Sequence, residues 1–287
     1  MRVRLKRDSL EADIAPEIGG AIAAFRHGGR DIFIPSDPRG IAEFPMGPYV
    51  NRIAEGQFRW RNETIILPPS FADYPHPLHG IGWRRAWACT LLGPSAARLG
   101  LVHEADATWP WGVTMERVVA LTAEGLEIAF ALTNTDARAM PASIGLHPFL
   151  PATDAVVRLS VAAQVLTTAD GIPVGIEPTP MVDRLGAGAC VDDLALDHCF
   201  AGWDGRAEIV WPTHTLRIET DPPQPYVQVF TPKGAGFFCV EPQSACPDGV
   251  NGEGRGVREL APGESLSFTT RFVVGETPGA SPGTPAR

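Results

Sequence analysis

Residues 116–134 read ERVVALTAEGLEIAFALTN, and their periodicity decides the fold class. Leu126, Ile128, Phe130 and Leu132 alternate with Glu127, Ala129, Ala131 and Thr133. A period of two sends successive side chains to opposite faces, so this run reads as a half-buried strand. ERVVAL precedes it across Thr122, Ala123, Glu124 and Gly125, and the two runs together read as a β-hairpin. SLSFTTRFVV repeats the alternation near the other end of the chain, with Leu266, Phe268 and Phe272 on one side and Ser267, Thr269 and Arg271 on the other. Similar short runs recur at VVRLSV, AEIVW, YVQVFT and GFFCVEP.

Outward from these strands, 30 glycines and 28 prolines cut the whole chain into short segments with little room for a long helix. No segment keeps a 3.6-residue period over ten residues, and no strands alternate with helices as a βαβ fold requires. The pattern predicts an all-β protein built as a large antiparallel β-sandwich. A length of 287 residues suits one such unit, and 44% apolar against 20% charged residues supplies a core. Residues 1–274 are expected to form a single domain. GETPGASPGTPAR, residues 275–287, has no apolar periodicity and is expected to be a flexible tail.

A formal net charge of -9 repels phosphate backbones and anionic lipid surfaces, so neither nucleic acid nor a membrane is an expected partner. The basic start MRVRLKRDSL leads into no apolar stretch of the kind a secretion signal carries, and no run of eighteen apolar residues occurs. A cytoplasmic protein, monomer or homodimer, is expected. Cys89, Cys190, Cys199, Cys239 and Cys246 form no CxxC pair and are expected to be buried free thiols. GxGxxG, GxxxxGK[ST] and HExxH are all missing, which leaves nucleotide-binding and zinc-protease readings without support.

Polar residues interrupt the strand pattern in several places. Asn51 and Arg52 break an apolar, glycine-bounded stretch, as either a solvated loop pair or a pair awaiting a polar partner. HPLHGIGW carries His76 and His79 ahead of Gly80 and Gly82, glycines that permit close backbone approach; a metal reading of HxxH finds no third ligand at useful spacing. SIGLHPFLP holds His147 in an apolar run, where Pro148 excludes helical geometry; a satisfied core histidine has the same appearance. LDHCF carries Asp197, which in a loop would bond nearby backbone N–H groups. Gln228 sits inside the apolar strand PYVQVFTP, where its amide needs a partner. In GFFCVEPQ the strand is expected to end at Glu241, stopped by proline, leaving a carboxylate at a strand terminus as either a general base or a solvated side chain.

Taken in order, NRI with GQF, LHGIGW, LHPF, DHCF, VQVFT, and VEPQ with PDGVN resemble the motif blocks of the aldose 1-epimerase (galactose mutarotase) family, over nearly the whole chain to about Val274. The resemblance implies a galactose mutarotase-like supersandwich with an open sugar cleft. It implies Glu241 as general base and His147 as general acid, Arg52, His79, Asp197 and Gln228 as sugar ligands, and Asn51 as their support. It implies no metal and no organic cofactor, because ring opening and closure of an aldose needs only an acid and a base. Ile81 stands where many members of the family have glycine, and it is expected to narrow the cleft. Three alternatives remain open. A hexose-6-phosphate mutarotase would need extra cations, for which Arg84 and Arg85 are the adjacent candidates. A non-catalytic carbohydrate-binding protein would keep the fold without turnover. A glycoside hydrolase would pair Asp197 with Glu241.

Overall fold

A computed structural model of the chain describes residues 2–277. The hairpin stands as read: Val113–Leu121 pairs antiparallel with Gly125–Asn134, Leu121 opposite Leu126 and Arg117 opposite Phe130. Leu126, Ile128, Phe130 and Leu132 all point into the core, and so do Leu266, Phe268 and Phe272 of the strand Ser265–Gly275, which pairs with the hairpin.

Among the described residues strand accounts for 52% and helix for 7%, so the all-β reading holds. The one α-helix among the described residues, Pro180–Ala187, places proline at its first turn, where a missing N–H costs nothing. Two large antiparallel sheets carry the fold. The larger has eleven strands, running from edge to edge as Val3–Arg7, Leu10–Ala15, Ala21–His27, Glu43–Met46, Gly145–Pro151, Phe237–Gln243, Tyr226–Phe230, Asp197–Ala201, Ala163–Thr167 and Pro173–Glu177, with Arg30–Phe33 beside Ala21–His27. The second has nine strands and contains the hairpin. One core cluster joins them, drawing Leu5, Ile14 and Phe25 from the first sheet and Leu99, Val119 and Phe130 from the second. Phe33 meets Phe272 edge-to-face across the layer, with ring centroids 4.9 Å apart.

Gly275 still belongs to its strand, opposite Thr215, and the Thr277 hydroxyl donates to the Trp211 carbonyl. Both fall within the stretch expected as a tail; its remainder, residues 278–287, lies outside the described residues. Cys199, Cys239 and Cys246 are buried, whereas Cys89 and Cys190 are half-buried. No helix among the described residues is long and apolar enough to cross a membrane.

Candidate active site

The middle of the larger sheet builds the site. On either side of it the strands Gly145–Pro151 and Phe237–Gln243 are in register, with Gly145 opposite Gln243 and Phe149 opposite Cys239. Two residues inward from each pair, His147 therefore lies opposite Glu241. Pairing lapses there, because Pro148 and Pro242 each remove a backbone donor from the facing strands. The two side chains meet across this gap, His147 Nε2 lying 3.4 Å from Glu241 Oε1. This corrects the expectation that proline ends the glutamate strand: pairing with Tyr226–Phe230 carries it through Pro242 to Gln243, so Glu241 sits inside a strand and is buried.

Side chains directly opposite in antiparallel strands share a face. Phe44 is opposite His147, and Gln228 is opposite Glu241, so one row across the sheet reads Phe44, His147, Glu241, Gln228. Phe44 stacks on the His147 ring at 4.4 Å. Asn51, Arg52, Asp197 and Gln228 close a hydrogen-bonded ring beside the row. Arg52 donates from Nη1 to Asn51 Oδ1 at 2.9 Å and from Nη2 to Asp197 Oδ2 at 2.7 Å. Gln228 Nε2 donates to Asp197 Oδ1 at 2.6 Å, and Asn51 Nδ2 donates to Gln228 Oε1 at 3.2 Å. Arg52 Nε donates to the Tyr74 hydroxyl at 2.7 Å, and that hydroxyl donates to the Asp170 carbonyl. Of the five N–H donors of a guanidinium, these contacts use three, leaving one on each terminal nitrogen for a ligand.

His79 enters from a tight turn. Its φ of 59° is left-handed, and Gly80 follows at φ 70°, where a Cβ would fall 2.1 Å from the Gly47 carbonyl oxygen. The turn is held by His79 N–H donating to Asn51 O, Gly47 N–H donating to His79 O, and Trp83 Nε1–H shared between Leu78 O and Gly80 O. An unfavourable backbone conformation fixed by so many partners marks a position the fold over-determines.

Asn51, Arg52, Leu78, His79, His147, Asp197, Gln228, Phe230 and Glu241 line one cleft of about 170 Å³. All seven residues that the resemblance names as base, acid, sugar ligands or support are among them. Leu78, Phe230, Phe44 and the Tyr74 that bonds Arg52 carried no sequence signal, because single apolar and aromatic residues occur throughout strands and loops as ordinary packing. His76 does not line the cleft: its Nδ1 accepts from Glu55 N–H and its Nε2 meets Asp170. Ile81 does not narrow the cleft, contrary to expectation. It is buried, and with Arg84, Arg85 and Tyr49 it borders a separate cavity of about 390 Å³.

Burial sets the electrostatics. It pushes the Glu241 carboxyl well above the usual range, Asp197 adding to the rise and Arg52 opposing it. It draws His147 down to about 4 and holds His79 well below the usual histidine value, His147 and Arg52 contributing to the latter. Glu241 Oε2 and one ring nitrogen each of His79 and His147 are buried without a protein partner. Perturbed, unsatisfied groups converging on a cleft are the physical mark of a ligand site.

Arg52→Lys tests the ring directly. An ammonium is a point charge and cannot bond Tyr74, Asn51 and Asp197 in one plane. Each hydrogen bond to a charged group is worth about 1.5–3 kcal/mol, so the affinity of a ligand held by the ring should fall roughly 10- to 100-fold. Unchanged affinity would show that the ring does not position the ligand.

Two stacked antiparallel sheets with a polar cleft on the larger one define the galactose mutarotase-like fold class. Within it, the chain belongs to the aldose 1-epimerase family, whose model matches residues 1–273. The "Uncharacterized protein YphB" of Escherichia coli (strain K12) is 29% identical over 286 residues, covering 92% of this chain and 95% of its own. A crystal structure of a candidate aldose 1-epimerase from Escherichia coli K12 superposes with a TM-score of 0.89 at 26% identity, over 96% of this chain and 99% of that one. A galactose mutarotase-like protein of Clostridium acetobutylicum has the same fold, with a TM-score of 0.84 at 18% identity over 96% of this chain and 95% of its own.

Proposed function

We propose that the protein is an aldose 1-epimerase, a mutarotase that interconverts the α and β anomers of a free aldose. The supporting observation is the facing pair of His147 and Glu241, 3.4 Å apart and buried at one cleft with an arginine that keeps donors free. Opening a pyranose breaks the C1–O5 bond: the C1 hydroxyl loses a proton, the C1–O1 bond becomes the aldehyde carbonyl, and O5 gains a proton. Rotation about C1–C2 and closure on the other face run the same transfers backwards. Glu241 takes the C1 hydroxyl proton and His147 protonates O5, each transfer contributing about 10²–10⁴-fold. The free N–H groups of Arg52 stabilise charge developing on the sugar oxygens, an effect worth roughly 3 kcal/mol per donor.

A cleft of about 170 Å³ falls below the roughly 300–1,000 Å³ of drug-sized sites, which favours a single sugar ring over an oligosaccharide. The 6-phosphate alternative finds little support. Arg84 and Arg85 lie away from the cleft, and Arg85 is paired with Asp106. Arg52 is neutralised by Asp197.

Activity should follow a bell-shaped pH profile. The pair works while it holds one proton. The form these roles require, His147 protonated and Glu241 ionised, carries the same number of protons as the neutral pair that burial favours, and the two forms interconvert by moving that proton between the partners. As pH falls through about 4, His147 takes up a second proton and the rate is lost. On the alkaline side the last proton leaves at the raised pKa of Glu241, above the usual carboxylate range. The profile of kcat/KM reports these limits for the free enzyme. A single rise centred near the ordinary histidine value of about 6.5 would contradict this assignment.

Polarimetry of freshly dissolved α-glucose and α-galactose tests the function. The expected result is anomer equilibration well above the spontaneous rate. A binding protein of the same fold would give no acceleration, and a rate that requires a 6-phosphate would make the enzyme a sugar-phosphate mutarotase.

A further inference from the structure

Beside the acid–base pair lies a third group that the proposed reaction does not use. Cys239 precedes Glu241 by two residues on the same strand, so both side chains face the same way. Its thiol is fully buried among Phe44, Phe149 and Ala245 under the cleft. The ligand atoms of His147, Cys239 and Glu241 all lie within 4.8 Å of one another. We infer that these three side chains form a binding site for a borderline-soft divalent cation such as Zn²⁺, and that occupancy switches the enzyme off.

The geometry suits that ion. A tetrahedral centre with metal–nitrogen and metal–oxygen bonds of about 2.0–2.2 Å has a nitrogen-to-oxygen edge of roughly 3.4 Å. His147 Nε2 and Glu241 Oε1 are separated by 3.4 Å. The thiol completes a face of the tetrahedron through side-chain rotation, giving up its proton to solvent as the sulfur–metal bond forms. Imidazole, thiolate and carboxylate together favour Zn²⁺ over Mg²⁺ or Ca²⁺, which demand oxygen-rich shells. Three protein ligands leave the fourth position for water or a sugar hydroxyl.

The same geometry makes the ion an exchangeable inhibitor. Metal-binding histidines usually donate their second N–H to an outer partner, and losing that partner costs roughly 10- to 100-fold in affinity. His147 Nδ1 has no side-chain partner. A bound cation would also occupy the lone pairs of His147 and Glu241 that proton transfer requires, so the loaded site holds neither a base nor an acid.

Inhibition rests on the mutarotase reading, whereas binding does not, and the test separates them. Co²⁺ and Zn²⁺ are titrated into the full chain and into Cys239→Ala and Cys239→Ser, the latter keeping the side-chain shape. Binding is read from the cobalt–thiolate charge-transfer band and from Zn²⁺ displacement of Co²⁺, and turnover is followed in parallel by polarimetry. The expected result is one equivalent bound to the native chain, inhibition reversed by a chelator, and loss of the band in both variants. Metal-free turnover should persist in the variants, with affinity weakened by more than the roughly 100-fold that an outer partner is worth. Absence of binding to the native chain, a band that survives in Cys239→Ala, or equal inhibition of native chain and variants would each overturn the inference. Should the native chain show no mutarotation, the proposed function fails while the optical titration still decides the metal site.

Discussion

Glu241→Gln should slow anomer interconversion by about 10²-fold or more while sugar binding changes little, because it removes a proton-transfer partner and keeps the side-chain shape. Burial already favours the uncharged form of Glu241, so a neutral amide adds no buried charge and the folded state should be retained. His147→Asn should slow turnover by a similar factor. It also removes an imidazole stacked on Phe44 at 4.4 Å and tilted against Phe149 at 4.7 Å, so a modest loss of melting temperature is expected alongside. Because the two groups exchange protons with one substrate, their effects should not multiply: the double variant should be close to the slower single one. Polarimetric rates, normalised to folded protein, check all three. If Glu241→Gln keeps most of its rate, the base lies elsewhere. Asp197 is then the carboxylate to replace, although its two oxygens are already engaged by Arg52 and Gln228.

The strands were legible because the local period of two survives in the sequence wherever one face is buried. The residues of the cleft were legible for the opposite reason. Arg52, His147, Gln228 and Glu241 each break an apolar pattern that packing alone would have kept. What no local pattern carries is the partner. That His147 faces Glu241 depends on a strand register joining segments more than ninety residues apart, and the same register brings Cys239 beneath them. The reading of Pro242 as a strand terminator failed because a proline is tolerated where its missing N–H faces an unpaired stretch, and here the facing strand carries Pro148 at the same gap. Ile81 was misplaced for a related reason: one residue beyond the left-handed Gly80 the chain has turned away, and its side chain joins the core instead of the cleft.

Arg117 stands in ERVVAL with no local signal of its burial, and replacing it by leucine should be the most destabilising single change to a charged residue of the hairpin. The register sets Arg117 opposite Phe130, on the inward face, and its side chain is fully buried. Nη2 donates to both carboxylate oxygens of Glu43, at 2.7 and 2.6 Å, and Nη1 donates to the Gly20 carbonyl. Glu43 is equally buried, and it adjoins Phe44, the ring on which His147 rests. Removing one partner of a buried ion pair leaves an uncompensated charge and costs about 3–5 kcal/mol, which at this chain length corresponds to a fall in melting temperature of roughly 5–15 °C. The pH dependence follows from Glu43. Burial already raises its pKa against the opposing effect of Arg117, so without the guanidinium the carboxyl stays protonated to higher pH in the folded state. The unfolded chain ionises it at its ordinary value, so stability is fullest below that value and is lost as pH rises towards the folded one. Arg117→Leu should therefore be closer to the native chain near pH 4.5 than at pH 7 in thermal melts. Adding Glu43→Gln should recover most of the loss at pH 7, since the buried carboxyl no longer has to be kept neutral. A loss independent of pH and untouched by Glu43→Gln would mean that the cost comes from the packing of the arginine stem and not from the orphaned charge.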